Sequence, residues 1–177
     1  MAEGSFLDSV VWYVKLSLRS TGSGLHQGKV TTMYRNILVA TDGSDLATAG
    51  VKQAASIARA FNANLTIVTA AVYFPMYGDE GGLALPPASF DEIHRASLEH
   101  CADVLSKAAE IAGPGAQTET VECFNAYEGI LETAENIGAD LIVMGSHSRS
   151  LITRLLVLGS QAAKVVNLST ISVLIVR

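Results

Sequence analysis

The chain has 177 residues, of which 49% are apolar and 16% charged, and this size and composition suit one domain with a well-buried core. Its net charge of −5 and its pI near 5.3 argue against a nucleic-acid surface, because no block of Lys and Arg offsets the general acidity. No apolar run reaches the ~18 residues that span a bilayer, and Cys101 and Cys123 lack both a disulfide framework and metal-ligand spacing. We therefore expect a cytoplasmic protein that binds neither nucleic acid nor membrane, with both cysteines as small buried side chains.

Residues 1–32 differ in character from the rest of the chain. Glu3 and Asp8 stand where a signal peptide carries positive charge, and Ser20–Gly24 has the composition of a linker. Met33 opens a segment that begins a strand almost at once, as a natural start would. We predict that residues 1–32 are a leader, either an added extension or a mobile arm, outside a core domain that spans residues 33–177.

From residue 36 onward, short apolar runs alternate with helical periodicity. Asn36–Thr41 and Leu65–Val72 are continuous apolar runs, which are typical of strands covered on both faces. Between them, apolar residues recur at the three- and four-residue spacing of one helix face: Val51, Ala54, Ala58 and Phe61. Tyr73–Ser89 holds three prolines and three glycines, so we predict a long loop there that is functional or mobile.

The second half of the chain repeats this alternation. A long helix with an inner face of Cys101, Val104, Ala108 and Ile111 should end at Gly113, and a third helix should bury Tyr127, Ile130, Ala134 and Ile137. Thr118–Phe124 is a strand with partial polar alternation, which indicates a sheet edge. Asp140–Met144 is a further buried strand, and a short helix over Ser160–Asn167 precedes the last strand, Ile171–Val176.

This order of elements predicts an α/β fold with a doubly wound, mostly parallel five-stranded sheet of Rossmann-like type and helices on both faces. In such sheets ligands bind outside the carboxyl ends of the strands, where the strand order reverses. Two turns that follow strands are therefore of interest. One is Thr41–Ser44, and the other is Gly145–Ser148, whose loop leads to Gly159 and Ser160 at a helix start.

A glycine lets backbone approach a ligand, and a helix N-terminus favours an anion, so the second turn and the helix at Ser160 can cradle phosphates. The alternative is that Gly145 and Gly159 are only turn glycines and that Ser160 is only a helix cap. The residue pattern by itself leaves both interpretations open.

The same segments carry a resemblance. Asn36–Ser44, Val143–His147 and Leu158–Ser160, ahead of Ser172–Arg177, resemble the universal stress protein family over the whole of residues 33–177. The resemblance implies the fold of the adenine-nucleotide alpha-hydrolase type, ATP (or ADP or AMP) with or without Mg²⁺ as ligand, and a role in stress response. It also implies a nucleotide cleft lined by Ala40, Thr41 and Asp42, with Ala70 facing the adenine and with Met144, Gly145, His147, Gly159, Ser160 and Gln161 around the ribose and phosphates.

The chain departs from the family's glycine pattern in two ways. Ser148 takes the place of the second glycine, and ten residues rather than nine separate it from Gly159. Ser148 still counts among the predicted nucleotide-binding residues, although its Cβ can hinder the approach of a phosphate. Two hypotheses follow: an ATP-binding regulatory protein, or a nucleotide-free interaction scaffold of the same fold whose glycine motif has decayed.

An enzyme, such as an ATP-hydrolysing or nucleotidyl-transferring one, is a third and weaker hypothesis. No Walker lysine follows a glycine-rich loop, and no nucleophile–base pair is evident, so we predict no catalytic residues and no metal site. His147 is expected to contact ligand rather than to transfer protons. Asp42 is expected either to meet a ribose hydroxyl, a base amine or a hydrated cation, or to cap the next helix.

The last strand suggests how the protein assembles. It has no charge before Arg177, and an exposed apolar edge is normally covered. Since family members commonly pair through their last strands, we expect a homodimer through Ile171, Val173, Leu174, Ile175 and Val176, with a regulatory protein partner that the sequence does not identify. The competing possibility is that the leader, through residues 10–14, pairs with this edge instead.

Overall fold

A computed structural model describes residues 13–15, 33–72, 87–145 and 160–177. Within these ranges lie six strands: Tyr13–Lys15 (β1), Asn36–Ala40 (β2), Asn64–Val72 (β3), Gln117–Cys123 (β4), Leu141–Gly145 (β5) and Ser172–Val176 (β6). Four helices connect them: Asp45–Phe61 (α1), Pro87–Ala112 (α2), Ala126–Asn136 (α3) and Ser160–Leu168 (α4). The predicted strands and helices are confirmed, but α2 begins at Pro87, inside the loop predicted for Tyr73–Ser89, and the remainder of that loop, residues 73–86, lies outside the described residues. None of the four helices is both long and apolar enough to cross a membrane.

The strands form one sheet in the order β1-β6-β5-β2-β3-β4. β2 to β6 are mutually parallel, so the predicted doubly wound five-stranded parallel sheet is confirmed. β1 adds a sixth, antiparallel strand, in which Val14 lies opposite Leu174 of β6. Three residues of the leader therefore join the sheet, as in the competing possibility that the leader pairs with the last strand, although the pairing lies at residues 13–15 rather than 10–14.

The core consists of two clusters, one on each face of the sheet. β2 contributes to both, because alternate residues of a strand point to opposite faces. Ile37 and Val39 pack with residues of α1 and α2, whereas Leu38 and Ala40 pack with residues of α3 and α4. A side chain of this kind stabilises the fold by ~1.5–3 kcal/mol when it is fully buried, so the sheet is held from both sides.

Two apolar residues lie elsewhere than predicted. Ile111 is predicted on the inner face of α2 but is 37% exposed. The buried face of the helix continues from Ala108 to Ala112, and Ile111 lies on the outer side of that face. Cys101 is buried as expected, whereas Cys123, at the end of the edge strand β4, is only half-buried. Burial nevertheless raises the pKa of the Cys123 thiol, which supports its reading as an inert side chain.

The two strands at the ends of the parallel sheet differ in character. β4 is the edge predicted for Thr118–Phe124, and its Glu119 and Glu122 are exposed. β6 is buried along its whole length. Val173 and Ile175, which were expected near a dimer seam, have no exposed surface and belong to the chain's own core cluster on the α3–α4 face.

Candidate functional site

The strand order reverses between β2 and β5, which are hydrogen-bonded neighbours. From β2 the chain continues to β3 on one side, whereas β5 and β6 are added on the other. Ala40, the last residue of β2, lies opposite Met144, the penultimate residue of β5. The predicted site residues Ala40, Thr41, Asp42, Met144 and Gly145 therefore meet at one end of the sheet, at its topological switch point.

Three of the predicted residues, Ala40, Ala70 and Met144, also share one face of the sheet. Ala40 and Met144 belong to the cluster packed against α3 and α4, and so does Val68 of β3. Because Ala70 follows Val68 by two residues in β3, it lies on the same face. Ala40 pairs with Val68, so Ala70 extends beyond the end of β2, where it is half-buried. Ala70, the residue expected to face the adenine, thus presents a small side chain at this end of the sheet.

The turn after β2 satisfies its own backbone. The Gly43 amide donates to Thr41 Oγ1 at 3.2 Å, and the Ser44 amide donates to Asp42 Oδ1 at 3.0 Å. Ser44 is the N-cap of α1, because its Oγ accepts a hydrogen bond from the Ala47 amide at 3.3 Å. Asp42 is therefore not the helix cap, and its carboxylate is exposed beside the switch point.

Gly145 has a packing role that the sequence did not reveal. A Cβ at this position would lie 2.8 Å from the Ala47 nitrogen and 2.8 Å from the carbonyl carbon and oxygen of Leu46. The first turn of α1 thus occupies the space beside Gly145 in which the sequence pattern predicts an approaching ligand. A missing side chain at a strand end permits close helix–strand packing as well as ligand approach, and the structure shows the packing.

The first turn of α4 contacts the first turn of α3. Gln161 Oε1 accepts a hydrogen bond of 3.1 Å from the Tyr127 amide, so the side chain expected beside the phosphates instead caps α3. Lys164 Nζ lies 4.5 Å from the centroid of the Tyr127 ring, a cation–π contact. Ser160 begins α4 and is exposed.

Tyr127 was expected only as a packing residue, and its hydroxyl was missed. It donates to Glu128 Oε1 at 2.6 Å, and this hydrogen bond raises the pKa of Tyr127 and lowers the pKa of Glu128. A Tyr–Glu pair one residue apart gives no spacing signal, because neighbours in a helix do not face each other. This pair marks the N-terminus of α3 as acidic.

The helix N-termini differ in charge. α1 has Asp45 in its first turn, with Asp42 just before it, and α3 has Glu128, whereas the first turns of α2 and α4 have no acidic residue. Since a helix N-terminus attracts anions unless carboxylates already neutralise it, α4 is better placed for a phosphate than α1 or α3, and unlike α2 it packs on the face of the sheet that carries Ala40 and Met144.

Some predicted positions lie outside the described residues, namely His147, Ser148 and Gly159. On the far side of the sheet, His94 of α2 pairs with Glu122 of β4 at 3.1 Å. Among the described residues, no group of three or more His, Cys, Asp or Glu is arranged to hold a metal ion.

These features define an α/β domain whose candidate ligand site lies at the switch point of a parallel sheet. The family model described as universal stress protein family matches residues 33–177, and the chain belongs to that family. It is 33% identical over 147 residues to a universal stress protein of Methanocaldococcus jannaschii, covering 82% of this chain and 83% of that one. It is 35% identical over 150 residues to universal stress protein YxiE of Bacillus subtilis, covering 82% and 100%.

Solved structures agree with the fold. A universal stress protein in complex with cAMP is 32% identical, with a TM-score of 0.60, over 82% of this chain and 98% of that one. The universal stress protein UspA of Lactobacillus plantarum is 27% identical, with a TM-score of 0.64, over 81% and 98%. The family match begins at residue 33, so the leader and its strand β1 lie outside it.

Proposed function

We propose that this protein is a cytoplasmic regulatory protein of the stress response that binds an adenine nucleotide, ATP or its di- and monophosphate, at the switch point. The observation that carries the proposal is the convergence of Ala40, Ala70 and Met144 on one face of the sheet at the carboxyl ends of three neighbouring strands. A similar protein, 32% identical, has been solved with cAMP, which supports an adenine nucleotide as the class of ligand.

The electrostatics orient the nucleotide in this proposal. The phosphates belong at the start of α4, where the exposed Ser160 offers a hydroxyl and where no acidic residue occupies the first turn. They do not belong at α1, because the side chains of Thr41, Asp42 and Ser44 already accept backbone N–H groups there. The base then lies toward the α3–α4 face near Ala70.

Asp42 is the polar contact that we assign to the ribose or the base. Its Oδ1 accepts a hydrogen bond from the Ser44 amide. Because the residue is exposed and a carboxylate has further acceptor capacity, it can also bind a hydroxyl, an amine or a hydrated Mg²⁺ at this end of the sheet. Asn at this position retains an oxygen for the Ser44 amide while it removes the charge. The turn and the binding role can therefore be separated by one substitution.

We propose no dedicated catalysis. The hydrogen bond of Asp42 is to the Ser44 amide and not to a nucleophile or base of the described residues, and general base catalysis requires such a partner within reach. ATP turnover, if measured over hours in the presence of Mg²⁺, should remain at the level of incidental hydrolysis. A turnover number near the enzyme median of ~10 s⁻¹ would contradict this part of the proposal.

The test is direct. Nucleotide released from the freshly purified, undialysed protein is identified by mass spectrometry, and ATP, ADP, AMP and cAMP are then titrated calorimetrically into the nucleotide-free protein. Asp42→Asn should weaken binding about tenfold or more, as expected for the loss of a charged hydrogen bond worth ~1.5–3 kcal/mol. Asp45→Asn is the matched control, because it removes the same charge three residues further along and should leave affinity within about twofold of the parent.

Two outcomes would overturn the proposal. If no adenine nucleotide is found bound and none binds on titration, the nucleotide-free scaffold with a decayed glycine motif becomes the better description. If both Asp variants weaken binding equally, the effect is one of general charge, and Asp42 has no specific contact.

A homodimer with a seam at β6, and a regulatory protein partner, complete the proposed function. The family resemblance supports the dimer. Any second copy must compete with β1, because β1 already pairs with β6 from Val173 to Ile175.

A further inference from the structure

The free side of β6 is where the sheet needs a cover. β6 pairs with β5 on one side and carries no charged residue from Ser172 to Val176. Its side chains are buried on both faces, Leu174 with the α1–α2 cluster and Ile175 with the α3–α4 cluster. An uncovered strand of this kind presents a row of backbone N–H and C=O groups to any other strand.

The opposite edge of the sheet does not have this need. β4 is exposed or half-buried along its length, and its Glu119 and Glu122 are exposed. Charged side chains on an edge strand discourage pairing with another chain. The two edges are thus not equivalent, and β6 is the one that calls for an occupant.

The structure supplies that occupant from the same chain. Tyr13, Val14 and Lys15 of β1 lie opposite Ile175, Leu174 and Val173 of β6 in an antiparallel ladder. Lys15 places a positively charged residue type on the strand that is now outermost in the sheet, and lysine on an edge strand is a common protection against further pairing. The leader therefore replaces an apolar, charge-free edge by a short one that ends in lysine.

We propose that β1 is an internal cover of the β6 edge and that it blocks the pairing of a second copy of this chain there. Because β1 belongs to the same chain, its effective concentration at β6 is in the ~mM range, well above that of a second copy at micromolar protein. The cover has only three residue pairs, so its displacement costs few hydrogen bonds. The protein is then a monomer while β1 is docked, and it forms the proposed homodimer only after β1 has left β6.

This inference rests on the self-association that belongs to the proposed function, but it does not depend on nucleotide binding. Calorimetric titration of ATP and measurement of the oligomeric state are separate experiments. Failure of one therefore does not imply failure of the other.

The test uses the full chain with Val14→Pro and Lys15→Pro together. Proline has no N–H, and neighbouring residues of a strand direct their N–H groups to opposite sides, so the pair removes a ladder donor whichever residue supplies it. Ser20→Pro with Thr21→Pro is the matched control, since these residues also lie in the leader but outside β1. Sedimentation velocity at about 10 µM and 100 µM, a range well below the effective concentration of a tethered strand, measures the monomer–dimer equilibrium.

We expect the parent and the control to be monomers at the lower concentration. The β1 variant should dimerise, with a dissociation constant lowered about tenfold or more, because a second copy no longer competes with a docked strand. A parent dimer that the β1 prolines dissolve would show that β1 joins copies by exchange and would overturn the proposal. A parent dimer that the prolines leave unchanged, or a β1 variant that stays monomeric at both concentrations, would overturn it as well.

A second variant tests the cover in the opposite direction. Val14 and Leu174 are opposite each other in the ladder, and the Cα atoms of such pairs are ~4.5–5.5 Å apart, within the range that a disulfide spans. Val14→Cys with Leu174→Cys, in a chain whose Cys101 and Cys123 are replaced by Ala, should lock β1 in place. The oxidised protein should stay monomeric at 100 µM and at a concentration about tenfold above the parent's dissociation constant, where the parent is mostly dimeric. Reduction of the disulfide should restore the parent's monomer–dimer equilibrium. Dimers of the oxidised protein would refute the block.

Discussion

Gly50 and Gly145 face each other where α1 crosses the end of β5, and adding one methyl group to either should have opposite effects. A Cβ on Gly50 would lie 3.5 Å from the Gly145 nitrogen and 3.7 Å from the Met144 carbonyl carbon, which is ordinary contact. A Cβ on Gly145 would lie 2.8 Å from backbone atoms of Leu46 and Ala47, closer than real contacts allow. The same added methyl is tolerated on the helix and not on the strand.

The magnitudes follow from these distances. Gly50 lies inside α1, where Gly is less favourable than Ala by ~0.5–1 kcal/mol, so Gly50→Ala should stabilise the fold by up to about that amount. Gly145→Ala must displace the first turn of α1, and overpacking of this kind costs ~1–3 kcal/mol. We therefore expect the two variants to differ by ~1.5–4 kcal/mol in the free energy of unfolding.

Urea unfolding followed by circular dichroism measures this difference. The slopes should agree among the parent and both variants, because the surface exposed on unfolding hardly changes, and the shift should appear in the midpoints. In thermal melts each kcal/mol corresponds to ~2–4 °C for a domain of this size. If Gly145→Ala is as stable as Gly50→Ala, α1 does not press on β5 as the structure describes, and the packing role of Gly145 is wrong.

Three further predictions concern helix N-termini. Ser44→Ala should lower the free energy of unfolding by ~1 kcal/mol, because it removes the cap of the Ala47 amide, whereas Ser56→Ala, at an exposed position inside α1, should be neutral or slightly stabilising; equal losses in urea unfolding would contradict the cap. The lowered pKa of Glu128 means that its contribution to stability is present above its ordinary value of 4.5 and is lost as the pH falls through the folded-state pKa, so Glu128→Gln should flatten the acid limb of the stability profile. The raised pKa of Tyr127 works in the other direction: its contribution is present below 10.0 and is lost as the pH rises through the folded-state pKa, which an absorbance titration of the phenolate would show and which Glu128→Gln should shift back toward 10.0.

The fold could be predicted because its strands and helices repeat strong local patterns. Asn36–Ala40 and Leu141–Gly145 are short apolar runs buried on both faces, which is typical of strands inside a parallel sheet. The helix stripe of Val51, Ala54 and Ala58 is likewise buried as predicted. Each of these patterns spans a whole element, so a single exception does not obscure it.

What sequence reasoning missed are contacts between residues far apart in the chain. Asp140 accepts the amides of Arg35 and Asn36 across 105 and 104 residues and so joins the start of β5 to the start of β2. Gln161 caps α3 through the Tyr127 amide, 34 residues away. β1 has only three residues, too few for a period to register, so the sequence suggested the pairing of the leader with the last strand only as an alternative, at residues 10–14. Such contacts depend on the assembled fold, and no spacing along the chain announces them.

Gly145 shows how one residue supports two different interpretations. The sequence pattern predicts that a phosphate approaches the backbone at Gly145, whereas in the structure the first turn of α1 packs against this glycine. A nucleotide-free scaffold with the packing of this chain would need the glycine just as much, because α1 would press on the end of β5 in the same way. The presence of Gly145 therefore does not separate a nucleotide-binding protein from a nucleotide-free scaffold. Only residues that the packing of the fold does not require can distinguish the two hypotheses. Among the described residues, Asp42 is such a residue, because it is exposed. Its replacement by Asn is therefore the decisive substitution.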